Sequence, residues 1–596
     1  ILFSFQKHSF SYERVYKYEV PDQIKIIFND YKKFLIQIYR ASEAKNPYGK
    51  PYIKDKFKKN SQIKGSYLSR SNKEVIFKGK ARITGDWLDH ISKKNLISSL
   101  SLSLDYGNIG GITNFRLLLP ETRNNENEIF WSVLMEEIGF PVPFRKFIKV
   151  DLMGIERIFI FEERAEKEFL ESWGFRETPI IEFDEREIWN NAIYTYSGGS
   201  KTKENWLNNH KYKIENANFI KNKTSRAISY RSINPNFIKP FFDLNSSSLK
   251  LFHLTNHKYA SHGLNSHNRK YIYDAIYNDY IPIYFDGNIN IDKDVCKSNS
   301  NFKKRVNKQK LEIIKQKFSE RTLELYDFSK EMECIANEII EIADHQYNLN
   351  YKGNADLYDI KKIEKISYNY GKETEQLFSE RKLKHRPPVY NYYHKTDQFE
   401  KCYYNYIKKD WELCENLNEL LFKKSFLGND KFFQTPDIKY TIPININYTP
   451  TFKEKFNNIK AIDTNININV DKNQITYLKI LSNNSKINIQ LNDHTSYVVI
   501  YKSKIINSEI NIKTDNKSFS SSDSRYNEKL LTGCVTVIDS EIKDTSLSSK
   551  DCTNEDGLNF IRTHGKGISL NIVDALFDGF DADFSNLNFN QIKIKN

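Results

Sequence analysis

Short apolar doublets, each with a polar residue between its two members, recur through the last 150 or so positions: Ile466/Ile468, Ile487/Ile489, Ile510/Ile512, Val535/Val537 and Leu558/Phe560. Their first members lie 21, 23, 25 and 23 residues apart. Alternation at period two marks a strand with one buried face. A strand that returns every twenty-odd residues marks one coil of a parallel β-helix, which buries its apolar side only by stacking on its neighbours. Asp556-Gly557 and Asp578-Gly579 repeat at 22 residues, with glycine free to take a corner conformation. Asn483-Asn484 and Asn492-Asp493 supply further turn residues. The expectation is a right-handed parallel β-helix over 451–596, with a β-sandwich as the competing reading. No amphipathic cap precedes Asn596, which reads as a solenoid cut short.

A chain of 596 residues has room for two or three more units, at about 150 residues per domain. Gln23 to Tyr39 places apolar residues near helical spacing and reads as a helix within a leading segment, 1–69. From 70 to 200, short β-rich runs surround a helix from Glu128 to Ile138 that Gly139, Pro141 and Pro143 close. This is an α+β region. From 201 to 430, helices are expected over Ser248–Ala260, over Lys310–Gln346 with one break, and over Trp411–Phe422. A hairpin is expected over Tyr271–Phe285. Pro436, Pro443 and Pro450 mark a linker at 431–450.

Lysine and arginine number 90 against 76 acids, a net charge of +14, but the excess is scattered rather than blocked. A nucleic-acid arm needs a basic block or a basic helix face, so nucleic acid is not expected as a partner. Six cysteines are too few for a disulfide scaffold, and no Cys-x-x-Cys pair suggests zinc or redox chemistry. Cys534 and Cys552 are read as buried thiols in preference to a bridge. No run reaches the roughly 18 apolar residues that cross a bilayer. The sequence starts at Ile1 without methionine, which leaves room for an upstream signal. The compartment is open, with an extracytoplasmic or cell-surface location favoured.

The richest chemistry lies between His262 and Asn288. A polar loop, a strand, a tight turn and a returning strand end in Asp286-Gly287, so the hairpin would bring Asn268 and Asp286 to one end. An amide oxygen beside a carboxylate is half of a magnesium site, which water and phosphate oxygens complete. An ordinary hairpin with a turn Asp-Gly explains the same residues equally well. His253 and His257 have the one-face spacing of a zinc pair but lack a third ligand. Asp539, Asp544, Asp551, Asp556, Asp574, Asp578, Asp581 and Asp583 concentrate acid in the last coils, and are read first as corner residues and second as a calcium or glycan site.

Lys80-Ala-Arg-Ile-Thr-Gly-Asp-Trp-Leu-Asp-His90, Phe115-Arg-Leu-Leu-Leu-Pro-Glu-Thr-Arg123, Glu137-Ile-Gly-Phe-Pro-Val-Pro143 and Phe161-Glu-Glu-Arg-Ala-Glu-Lys-Glu-Phe-Leu170, followed by the His262–Asn288 loop and hairpin, resemble the spore-coat CotH kinase family over roughly 70–300. The resemblance implies an atypical two-lobed protein-kinase-like fold, N-lobe at 70–200 and C-lobe at 201–430, that binds ATP with magnesium, or manganese in its place, and phosphorylates protein. Carried over by position, Asp286 and Asn268 are the metal ligands. Arg82 and Lys94 hold phosphates, and Glu163 braces a basic residue. The family's catalytic-loop aspartate has no counterpart in Tyr259–Asn265. His262 is the substitute base, and a nucleotide-binding pseudokinase is the alternative to an active enzyme. From a different class, the β-helix would be the working part, binding a surface glycan with the front half as scaffold.

Overall fold

The computed structural model describes residues 12–16, 18–43, 53, 55–85, 87–183, 212–216, 219, 222–232, 247–256, 258–264, 268–292, 296, 307–348, 389–393, 398–405, 410–416, 444–447, 452–515, 526–552, 554–575 and 578–595.

The chain opens with a strand where the sequence reading placed the start of a helix. β1 (Gln23–Phe28) buries alternate residues, Ile24, Ile26 and Phe28, and α1 (Tyr31–Glu43) begins only after the turn at Asn29-Asp30. The same segment also carries Ile24, Ile27, Phe28 and Tyr31 at the spacing of a helical stripe. A pairing partner on each side resolves the ambiguity toward strand. Asp30 starts α1 by accepting from the Lys33 amide at 2.9 Å.

β2 (Ser61–Leu68), β3 (Glu74–Ile83), β6 (Leu100–Tyr106), β7 (Asn114–Leu118), β8 (Arg145–Leu152) and β9 (Ile155–Glu163) join β1 in a closed barrel, in the order β1-β2-β3-β6-β7-β9-β8. A small ribbon of β4 (Ile91–Ser92) and β5 (Ile97–Ser98) interrupts the meander. Phe77, Ala81, Ile83, Leu100, Leu102, Phe115 and Phe161 fill the barrel, and Lys78, Lys80 and Arg82 point away from it. The barrel therefore takes two strands from the leading 1–69 segment.

A second core lies beside the barrel, centred on α2 (Glu126–Glu137). Against α2 pack α3 (Lys167–Ser172) and the sheet of β10 (Ile180–Phe183), β11 (Tyr212–Ile214), β12 (Lys270–Asp274) and β13 (Asp279–Ile283), in the order β11-β10-β12-β13. α4 (Lys223–Ser232), α5 (Ser247–Asn256), α6 (Lys308–Arg321) and α7 (Lys330–Asn348) complete this part. The expected hairpin and the α5 helix are present. The long helical stretch breaks at 322–329, where Leu323 and Glu324 take φ of 55° and 56°.

The expected helix from Trp411 is a strand, Asp410–Asn416, in a small sheet with Val389–Tyr393, Gln398–Asn405 and Ile444–Asn447. Antiparallel pairing with Gln398–Asn405 supplies its backbone partners, a long-range term that local periodicity does not carry. Ile444–Asn447 falls inside the expected linker.

The C-terminal part is a parallel β-helix. One stack runs through Lys453–Ile462, Gln474–Asn483, Tyr497–Tyr501, Gly533–Ile538, Asp556–Ile561 and Asp578–Asp583, six coils in all. A second runs through Asn465–Val470, Lys486–Leu491, Glu509–Thr514, Ser546–Lys550, His564–Val573 and Asn586–Lys595. The doublets belong to both stacks. Ile466, Ile487 and Ile510 lie on the second, whereas Val535 and Leu558 lie on the first. Ile510 pairs with Leu547, 37 positions on, whereas Ile487 pairs with Ile510 after 23, so one coil is longer than its neighbour. The 25-residue step was therefore a jump between stacks.

Cys534 and Cys552 are bonded, Cα atoms 6.0 Å apart, and Cys296 is bonded to Cys334 at 5.5 Å. The first bridge corrects the reading of free thiols: the two cysteines lie on the same coil, and the loop between them closes within bonding reach. Bridges of this kind persist in oxidising compartments. Among the described residues no helix is long and apolar enough to cross a membrane.

The front half and the solenoid share an interface. The hairpin turn puts Ile276 among Ile475, Tyr477, Val499, Leu531, Ile538 and Ile561 on the outer side of the first stack, and the Tyr477 hydroxyl donates to Ile276 O at 2.6 Å. Arg176 reaches Asp581 and Asp583 from the front half.

Ile510 is fully buried, with Ile487 above and Leu547 below it. Ile510→Ala should cost about 2–5 kcal/mol. Ile594→Ala, at a site 48% exposed, should stay within about 0.5 kcal/mol. Urea midpoints of the two variants check the contrast.

Candidate functional site

Lys270 of β12 pairs with Ile283 of β13, so Asn268, two residues before the hairpin, and Asp286, three after it, leave from the same end. The two loops touch through Gly263, where an added Cβ would fall 2.9 Å from Phe285 O. The Asn268 amide donates to His262 O at 3.0 Å, which folds the His262 loop back toward the hairpin. Asp286 and Asn288 both take φ of 49°, and facing them Asn124 and Asn125 take 52° and 53°. Non-glycine residues in this region are uncommon and cluster where a surrounding structure imposes them. Asn124 donates to Asn288 Oδ1 and to Ile289 O, both at 2.9 Å, and locks the two strained segments together.

Arg123, at the end of the turn after β7, faces Asp286 at 3.5 Å, and both side chains are largely buried. Asp89 is near enough to feel both charges. Below them, Tyr284 donates to Glu128 at 3.1 Å, and Glu128 lies 3.4 Å from Arg145. Arg145 is fully buried and bonds Glu162 at 2.8 Å and Ser132 at 2.9 Å; Arg116 takes the other Glu162 oxygen at 3.0 Å. Burial opposes the charge of Glu162, but the Arg145, Arg116 and Arg123 guanidiniums overcome it and hold its carboxyl down at about 2. Glu128 goes the other way. Burial, the largest effect, lifts it to about 7, with Arg145 opposing and Asp286 adding to the rise.

Arg82, Ser101, Arg116, Glu162 and Arg145 are successive cross-strand neighbours on β3, β6, β7, β9 and β8. Residues directly opposite one another share a face of the sheet. Arg82 therefore stands two strands, about 10 Å, from Arg116 on the outer wall of the barrel. Arg116 lies 5.6 Å from the ring centre of Phe285, and Lys270 lies 4.4 Å from it. Lys270 is held by Glu182 at 2.6 Å and Glu215 at 3.3 Å. Guanidiniums on the wall and a carboxylate with an amide on the loop are complementary to a polyanion that carries a divalent cation.

The remaining expected residues are distributed differently. Lys94 is exposed in the turn between β4 and β5, and among the described residues it has no ion-pair partner. Glu163 is buried on the opposite side of β9 from Glu162, where it receives the Tyr18 hydroxyl, the Phe144 amide at 2.9 Å and Arg14 at 3.3 Å. Period two separates the faces of this Glu-Glu pair, and Glu162 is the member beside the site. His262 is half-buried in the loop. His257 and the side chain of His253 lie outside the described residues. Among the described residues no group of three or more His, Cys, Asp or Glu side chains is arranged to hold a metal. Arg123, Arg116 and Asp89 went unnoticed in the sequence, although each sits inside a motif singled out there.

The solenoid offers a second feature, an open groove of about 910 Å³ along its corners, lined among others by Asp463, Asn484, Asn507, Asp544, Lys486 and Glu509. Asp463, Asn484, Asn507 and Asp544 stack at φ between 44° and 49°. Of the eight C-terminal acids, Asp539, Asp544, Asp551 and Asp574 are corner residues of this left-handed kind, whereas Asp556, Asp578, Asp581 and Asp583 lie in strands.

No sequence profile of a known protein family matches the chain, and no curated protein matches it.

Glu128 yields a pH test. An acid whose folded pKa exceeds its ordinary 4.5 makes stability fall as pH rises through the window from about 4.5 to 7, because the native state binds the extra proton. Glu128→Gln removes this term. The variant should gain on wild type by about 1–3 kcal/mol between pH 5 and pH 8, read from urea midpoints. An equal difference at both pH values would show that Glu128 stays ionised beside Arg145.

Proposed function

We propose that the front half is a kinase-like, Mg-ATP-binding unit of the CotH type, two-lobed, with the nucleotide between the barrel wall and the loops at the end of the β12–β13 hairpin. The observation that carries the reading is that Asn268 and Asp286 leave from one end of the hairpin, with Arg123 facing Asp286 and Arg116 and Arg82 on the barrel wall. Asp286 and the Asn268 carbonyl would hold the cation, which would take over the charge that Arg123 now neutralises. Freed from Asp286, Arg123 would turn to phosphate with Arg116 and Arg82. Magnesium bridges phosphate oxygens and offsets charge as the phosphoryl group moves, while the protein supplies position.

The proton acceptor distinguishes a kinase from a binder. In a kinase catalytic loop the aspartate stands five residues before the metal-binding asparagine. Counting back from Asn268 gives Gly263, and a Cβ there would press on Phe285 O at 2.9 Å. No carboxylate fits that place without moving the Asp286 loop. Transfer to a protein hydroxyl would then rely on His262 or on Asp89, and would be slow. Calorimetry of the full chain with ATP and magnesium should show one site. Asp286→Ala should abolish it, and Arg82→Ala or Arg116→Ala should weaken it about tenfold, roughly 1.4 kcal/mol. Absence of binding, or binding unchanged in Asp286→Ala, would overturn the reading.

The corner groove favours a second role, in which the solenoid binds a surface glycan. Asn465, Asn488, Asn511 and Ser548 on the adjoining face are bonded to one another. The exposed corner amides of Asn484 and Asn507 have no side-chain partner among the described residues. A ladder of exposed amides and carboxylates at the strand spacing of about 4.8 Å suits an extended polyhydroxylated chain. On a glycan array, full-length protein should bind a subset of linear glycans, and Asn484→Arg combined with Asn507→Arg should lose them. Binding by neither protein would remove this second role.

A further inference from the structure

The β12–β13 hairpin is occupied at both ends. Its open end carries the loops with Asn268 and Asp286. Its turn, residues 275–278, is seated on the solenoid. There the Tyr277 hydroxyl donates to Asp539 at 2.8 Å, and Ile276 enters the apolar patch on the outer stack. Asp539 also accepts two bonds from Arg562, at 2.7 and 3.0 Å, and the remaining Arg562 nitrogen donates to Gly174 O at 3.0 Å. One guanidinium thus ties two coils of the solenoid to the front half. Asp274 closes the turn from inside by accepting from the Ile276 and Tyr277 amides at 3.0 and 3.1 Å.

Between the two ends the hairpin is held at several points. Tyr273 and Tyr280 pair across it with ring centres 5.3 Å apart, and the Tyr280 hydroxyl is anchored on Ser232 O at 2.9 Å. β10 pairs along β12, and Tyr284 N donates to Pro141 O at 3.0 Å. At about 3.3 Å per residue, the four steps from Asp279 to Ile283 span roughly 13 Å of paired strand, and the Tyr284 bond to Pro141 continues the support to within two residues of Asp286. A small displacement of the turn would be carried to Asp286 rather than absorbed, because packed interiors deform little.

We infer that the solenoid positions the candidate site through this hairpin, with Tyr277, Asp539 and Arg562 as positioning residues for Asp286 and Asn268. The inference rests on the nucleotide reading for its consequence, but not for its test. Spatial continuity alone does not establish coupling, so the measurement must compare two breaks in the same interface. Arg176 also joins the halves, through Asp581, Asp583 and the Leu530 carbonyl at 3.0 Å, and its polar partners do not include the hairpin turn.

Hydrogen exchange over residues 284–289 is followed in full-length wild type, Tyr277→Phe, Arg562→Ala and Arg176→Ala, alongside Mg-ATP affinity. The expected result is severalfold faster exchange at 284–289 in Tyr277→Phe and Arg562→Ala, a three- to tenfold loss of Mg-ATP affinity in both, and neither change in Arg176→Ala. Tyr277→Phe deletes one hydroxyl and keeps the test open where Arg562→Ala does not fold. Unchanged exchange at 284–289, or equal acceleration by Arg176→Ala, would overturn the inference. Faster exchange in a protein whose wild type binds no nucleotide would leave the coupling standing and remove the nucleotide reading instead.

Discussion

The hairpin from Lys270 to Ile283 is the member to which both halves of the chain are referred. It pairs with β10 on one side, lies against α5, packs Ile272, Ile281 and Ile283 into the α2 core, and sends its turn into the solenoid. β12 is paired on both sides and β13 on one, so the ends project loops whose directions are set by strand geometry. Strain is confined to those loops. Asp286, Asn288, Asn124 and Asn125 hold left-handed backbone where two loops cross, while the strands between carry none. Gly287 completes the arrangement, since a Cβ there would collide with the Tyr284 hydroxyl.

Beneath the loops the chain buries Arg145, Glu128 and Glu162, with Arg116 partly exposed beside them. Burial of unpaired charge costs several kcal/mol, and such groups persist only with partners and hydrogen bonds around them. Here the partners come from α2, β7, β8 and β9, so the network also fixes how the helix lies on the barrel. A second set does the same at the far end of α2. Arg321, Arg14 and Lys317 surround Glu136 and, against the larger effect of burial, hold it at about 2. The helix between them is apolar on nearly every side, so these two charged ends determine its register.

Much of the architecture was legible in local pattern. Doublets at period two announced strands, their recurrence announced a solenoid, and the Asp-Gly hairpin was placed within a residue or two. Misreadings arose where one pattern serves two structures. Ile24, Ile27, Phe28 and Tyr31 fit a helical stripe while Ile24, Ile26 and Phe28 fit a strand, and Trp411 to Asn416 became a strand through pairing with a segment some ten residues earlier. The coil spacing misled in a different way. The two long stacks of the solenoid alternate at period two, so a doublet does not declare its stack, and the extra residues between Thr514 and Gly533 make Val535 look like the successor of Ile510.

The site divides along the same line. Local order determined that Asn268 and Asp286 share an end of one hairpin, because pairing register alone requires it, and it placed Arg82 on a strand of the front half. Only the closed barrel decided that Arg82, Arg116, Glu162 and Arg145 form a single row, since that row crosses five strands drawn from 74 to 163 and its members meet through sheet order. Only the packing of α2 against the hairpin decided that Glu128 sits under Asp286. The site is made by backbone pairings far apart along the chain, and the energies that select those pairings come from burial and charge balance that no local window contains.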